Sequence, residues 1–181
     1  MMHGVATLLN EDYSEKVVYL WQEMERLFGV NGVMITPIPH FSYHVAQNFD
    51  EEKVLAVLQE VAGETAVFTV KTGGIGIFTG PSPIIYMPVA RNPALCRLHE
   101  HLWPKLDALA TQGIAYYAPH NWFPHITLGW GDISTKTLGP IVQWLNQQDL
   151  AWELTVTNLI YVQDPGREPH KLQHRVELGN R

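Results

Sequence analysis

The chain has 181 residues, 46% hydrophobic and 17% charged, a balance that fits one packed domain over residues 1–181 and excludes general disorder. Its formal net charge of −6 speaks against a long nucleic-acid track, which needs a basic surface, while leaving open a small phosphate ester, a nucleotide or an RNA end. No apolar run approaches the roughly 18 residues of a membrane span, residues 1–10 carry no leader pattern, and the single cysteine, Cys96, fits a reducing, cytoplasmic setting.

In chain order, Val5 to Asn10 reads as a short apolar strand. Val17, Leu20, Trp21, Met24 and Phe28 recur at helical spacing until Gly29 ends the run. Pro39 to Val45 predicts a strand with proline at its start, where a missing N–H is tolerated. Asp50 opens a helix closed at Gly63. Ala66–Lys71, Gly76–Phe78 and Ile84–Ala90 follow as strand pieces. The second half repeats this order: a helix from Asn92-Pro93, kinked at Pro104, a loop, and a strand over Pro124–Trp130. A helix over Thr135–Gln148 comes next, then strands over Trp152–Val162 and Leu172–Leu178 turned at Asp164-Pro165-Gly166. The expected fold is α+β, with two pseudo-symmetric lobes, each an antiparallel sheet with helices on its outer face, around a central cleft.

Two segments stand out. Residues two apart on a strand share a face, so His40 projects with Ser42 and His125 with Thr127. Two converging imidazoles suit a phosphodiester: one takes the proton of the nucleophile, the other protonates the leaving oxygen, and the hydroxyls hold the non-bridging oxygens. An imidazole pKa near 6.5 lets both protonation states coexist at neutral pH. Among nine histidines, about one His-x-Ser/Thr match is expected by chance, since Ser and Thr make up roughly an eighth of residues. Here it occurs twice, each time after proline and inside an apolar strand.

Pro39-His40-Phe41-Ser42-Tyr43 and Pro124-His125-Ile126-Thr127-Leu128 resemble the paired signatures of the 2H phosphoesterase superfamily, which includes the bacterial 2′-5′ RNA ligase-like proteins. Ser42 stands where threonine is commoner, and His44 adds an extra imidazole. The resemblance spans essentially the whole chain. It implies a two-lobed α+β fold, metal-independent action on 2′,3′-cyclic phosphates or related cyclic nucleotides, and in some members ATP-independent 2′-5′ joining of RNA.

Further candidates for substrate contact are His44, on the continued face of His40, or else a core or surface histidine; Lys71 and Arg91, near strand ends, either phosphate-holding or solvated; and Tyr117 and Phe123, which with Tyr116 and Trp122 can stack on a base or fill the core. Arg167, His170, Lys171 and His174 form a possible basic rim. Tyr43 points away from His40. A zinc enzyme is the first competitor, but His99-Glu100-His101 diverges on a helix and no His-Glu-x-x-His or paired cysteines occur. A non-catalytic nucleotide-binding module is the second. No cofactor is expected, because Gly73-Gly74-Ile75-Gly76 lacks the Lys-Ser/Thr of a phosphate loop. The expected partner is a small cyclic nucleotide or an RNA terminus, with a monomeric protein and no membrane.

Overall fold

Helix limits fall where the sequence supplies caps and breakers. The computed structural model describes residues 2–163 and 171–179. Strand β1 (His3–Leu8) leads into helix α1 (Glu11–Phe28), whose first turn carries Glu11 and Asp12 at the positive end of the helix dipole. Gly29 ends α1 at a φ of 69°, a left-handed conformation that favours glycine. Asp50 caps α2 (Glu51–Glu64) through the Lys53 amide, and Asn92 caps α3 (Pro93–Asp107) through the Leu95 amide, with Pro93 opening the helix. Helix α2 runs one residue past the expected stop at Gly63. Helix α4 (Leu138–Leu145) is shorter than Thr135–Gln148, because a hydrogen-bonded turn over Ser134 and Thr137 comes first.

The remaining strands are β2 (His40–Phe49), β3 (Phe68–Lys71), β4 (Gly76–Phe78), β5 (Ile84–Pro88), β6 (Ala110–Gly113), β7 (His125–Gly129), β8 (Glu153–Val156), β9 (Asn158–Gln163) and β10 (Lys171–Glu177). The main sheet has the order β10-β9-β1-β2-β7-β5-β4, with β6 also pairing β2, and β3 and β8 form a separate ribbon. The ladders between these strands are antiparallel. The two halves therefore share one sheet, joined where Phe41 of β2 pairs Ile126 of β7.

Helices and halves are crossed. Helix α3, from the second half, packs on β2, and α1, from the first, packs on β7. The reading of 152–162 as one strand is corrected: Thr157 separates β8, which pairs β3, from β9, which pairs β1 and β10. Strand β6 was not expected, being short and polar. The β9–β10 hairpin forms as expected, while its turn at 164–166, Arg167 and His170 lie outside the described residues. Among those described, no helix is long and apolar enough to cross a membrane.

One irregularity decides which side chains face the cleft. On β1, Ala6 pairs Ser42 and Val5 pairs His44, so Tyr43 has no partner there and β2 carries a bulge. Before it, Phe41 and Tyr43 face the core, while His40 and Ser42 stay half-buried on the other side. After it the alternation inverts: His44 turns to the helices and Val45 takes the cleft face.

Candidate active site

Each motif histidine is oriented by its own backbone. His40 Nδ1 bonds the carbonyl of Ile38, and His125 Nδ1 bonds that of Phe123 at 2.7 Å. Both acceptors precede proline, and a residue before proline is held extended. A carbonyl can only accept, so each Nδ1 carries a proton, and Nε2 is the nitrogen that gains or gives one. The carbonyls of the prolines are paired as well: Leu9 N–H donates to Pro39 and Val89 N–H to Pro124, at 3.1 and 2.9 Å.

The hydroxyl residues are clamped from behind. The Trp122 indole N–H donates to the Ser42 carbonyl at 2.8 Å, and the Trp21 indole N–H donates to the Thr127 carbonyl at 3.1 Å. Both tryptophans are buried. Trp21 rides on α1 and Trp122 stacks on His99 of α3 at 3.8 Å between centroids, so each clamp comes from the opposite half of the chain.

The Phe41–Ile126 pair fixes how the motifs meet. Continuing the antiparallel register sets His40 opposite Thr127 and Ser42 opposite His125. The two histidines then stand diagonally, and such neighbours lie about 7–8 Å apart. Their alternation from the buried Phe41, Ile126 and Leu128 puts all four polar side chains on one face.

The surroundings of the two rings differ. His125 lies among Phe78, Tyr86 and Tyr116, with centroids at 5.0, 5.2 and 6.1 Å. Burial pushes its pKa below the ordinary imidazole value, against the opposing pull of the Phe123 carbonyl. Tyr86 pairs Thr127 across the ladder and lies over Gly76, where a Cβ would come within 2.3 Å of its ring. Tyr86 and Phe78 were missed in the sequence; their strand positions carry no motif. His40 and Ser42 instead border a recess of about 140 Å³, lined also by Gly4, Ala6, Thr36, Val45, Tyr117 and Val162.

Of the further candidates, Tyr117 reaches this recess, its hydroxyl pushed up to about 12 by burial. His44 does not. The bulge turns it to the helix side, 1% exposed, against Phe49 and Trp103, with Nε2 3.3 Å from Asp107. Lys71 is exposed on the β3–β8 ribbon, facing Glu153. Arg91 donates to the carbonyls of Pro119 and Trp122 at 3.1 and 3.2 Å and lies over the Trp122 ring; it braces the loop that leads to His125. The Phe123 side chain is 61% exposed, and its carbonyl accepts from Tyr116 as well as His125. His174 of the expected basic rim pairs Glu51 at 2.8 Å. Of the histidines read as metal ligands, His99 is buried beside Trp122 and Tyr43. Among the described residues, Glu60, Glu64 and His101 alone gather ligand atoms within metal range, on the surface of α2 and α3.

A family model described as the 2′-5′ RNA ligase superfamily matches residues 20–168, a span that takes in both motifs. The chain belongs to this superfamily. A Geobacillus kaustophilus protein named provisionally as a phosphoesterase is 30% identical over 133 residues, covering 71% of this chain and 72% of that one. A relative from Geobacillus strain WCH70, similarly named, is 28% identical over the same shares. The same fold is also seen in solved structures. TT0787 of Thermus thermophilus aligns with a TM-score of 0.68 at 18% identity over 99% of both chains. Escherichia coli LigT in complex with phosphate aligns with 0.61 at 15% identity over 98% of this chain and 97% of that one.

Proposed function

We propose that the protein is a metal-independent phosphodiesterase acting on 2′,3′-cyclic phosphate termini of RNA or on small cyclic nucleotides, with His40 and His125 as its acid–base pair. The observation that carries this reading is the matched pair of Nδ1–H···O=C bonds, which turns both Nε2 atoms into proton carriers on one sheet face. Burial favours neutral His125, which suits it to take the proton of an attacking water. As the water oxygen bonds phosphorus, one P–O(ribose) bond breaks, and the leaving oxygen takes the Nε2 proton of His40, which enters this step as the imidazolium and leaves it neutral. Ser42 and Thr127 donate to the non-bridging oxygens, where charge is held through the transfer. Replacing water by a ribose hydroxyl of a second RNA end gives 2′-5′ joining at the same site.

LigT has been crystallised with 3′-AMP and with phosphate, which supports a nucleotide-sized ligand here. The test is turnover of adenosine 2′,3′-cyclic phosphate, followed by 31P NMR, with and without EDTA. His40→Ala and His125→Ala each lose about 10²–10⁴ in rate, and the double variant is little worse, because the two act as a unit. Near-wild-type rates in either single variant, or loss on chelation restored by a metal, refute the mechanism.

A further inference from the structure

The recess beside His40 is built differently from the aromatic surround of His125. The bulge at Tyr43 removes an imidazole from the cleft face and substitutes the isopropyl group of Val45. Opposite it on β1 stand Gly4 and Ala6, paired with Val45 and Ser42, and Val162 of β9 pairs Gly4. These are small or aliphatic, and no Lys, Arg, Asp or Glu is among the described residues that line the recess. Ala6 and Val162 pack with Ile160 into an apolar cluster separate from the main core, so the floor is backed and firm. The polar side chains that border the recess are those of Thr36, Ser42, Tyr117 and His40; the His3 ring turns to the other face of the sheet, against Tyr161.

We infer that this recess is the subsite for the nucleoside base of the ester, seated on the shelf of Gly4, Ala6, Val45 and Val162; the inference rests on the phosphodiesterase reading above. A shelf with an apolar floor accepts the face of an uncharged planar group and desolvates poorly for a second phosphate. The hydroxyls of Thr36 and Tyr117 at its rim meet the polar edge of such a group. A ligand with a charged extension on the His40 side finds no counter-charge among the described residues that line the recess.

The test compares two substrates: adenosine 2′,3′-cyclic phosphate and 1,4-anhydroribitol 2,3-cyclic phosphate, which keeps the ring and phosphate but lacks the base. The wild type prefers the adenosine ester. Val45→Asp and, independently, Ala6→Leu each cut that preference in kcat/KM about tenfold, chiefly through KM. A preference held within twofold in both folded variants overturns the subsite. So does a wild type that treats the two esters alike. If the wild type turns over neither ester, the phosphodiesterase reading fails, and the shelf is judged by binding alone. Saturation-transfer NMR of adenosine then shows contact with the wild type and His125→Ala but not with Val45→Asp. No transfer to the wild type at millimolar adenosine, or undiminished transfer to Val45→Asp, overturns it.

Discussion

His99 offers the sharpest quantitative test, because it is buried at 1% exposure between the two motifs and titrates. Its Nε2 lies 3.0 Å from the Tyr43 carbonyl at the β2 bulge, and its ring stacks on Trp122. Burial pushes its pKa down to about 4, only partly offset by the carbonyl bonds to Tyr43 and Tyr117. In the unfolded chain the ring returns to about 6.5. Between those values the unfolded state holds the extra proton, so stability is full above pH 6.5 and is lost as pH falls towards 4. The gap of about two and a half units, at about 1.4 kcal/mol each, comes to about 3 kcal/mol, a large share of a typical 5–15 kcal/mol total. Urea unfolding of wild type and His99→Gln at pH 7, 5.5 and 4.5 isolates this group from the other histidines. Glutamine retains a donor for Tyr43 and does not titrate. The wild type is expected to lose about 2–3 kcal/mol more than the variant across that range. Parallel losses in both proteins would refute the argument that His99 is buried neutral.

The remaining predictions concern the braces and the active ring. Trp122→Phe leaves the part-buried Ser42 carbonyl without its indole donor, so urea unfolding should show a loss of about 1–3 kcal/mol before any cavity cost; a change below about 0.5 kcal/mol would deny the clamp. Gly32→Ala brings a Cβ to 2.2 Å from the Trp130 carbonyl oxygen, a backbone atom, and should lower the thermal midpoint through about 1–3 kcal/mol of strain. The lowered pKa of His125 predicts that the acid limb of the kcat/KM profile falls below pH 6.5, since the base stays unprotonated further into acid; an acid limb above 6.5 counts against His125 as the base.

What could be read from the sequence was whatever repeats locally. Helix faces on α1 and α3, the caps Asp50 and Asn92, and the alternation that sends Tyr43 inward all follow from spacing within a few residues. His44 shows where that reading fails. Strict alternation puts it beside His40, and nothing in Ser42-Tyr43-His44-Val45 announces the extra residue, because the bulge is set by the pairing of β2 with β1. The same limit hides the split at Thr157, where one apolar run serves two sheets, and the work of Arg91, whose partners lie 28 and 31 positions away. Trp21 reads as an ordinary helix-face residue until Thr127 is known to lie beneath it.

The crossing of helices between halves has a consequence for how the protein comes into being. The bond from Trp21 to Thr127 spans 106 positions, and that from Trp122 to Ser42 spans 80. As the chain leaves the ribosome, His40 and its strand are made long before either the α3 backing or the Trp122 donor exists. The first half on its own therefore exposes the inner side of β2 and the apolar stripe of α1. Contacts of such separation close late, since loop entropy must be met before they reward the chain. Severed at the loop between β5 and α3, each piece keeps the local bond that orients its histidine but loses the indole donor that clamps its hydroxyl residue, because that donor lies in the other piece.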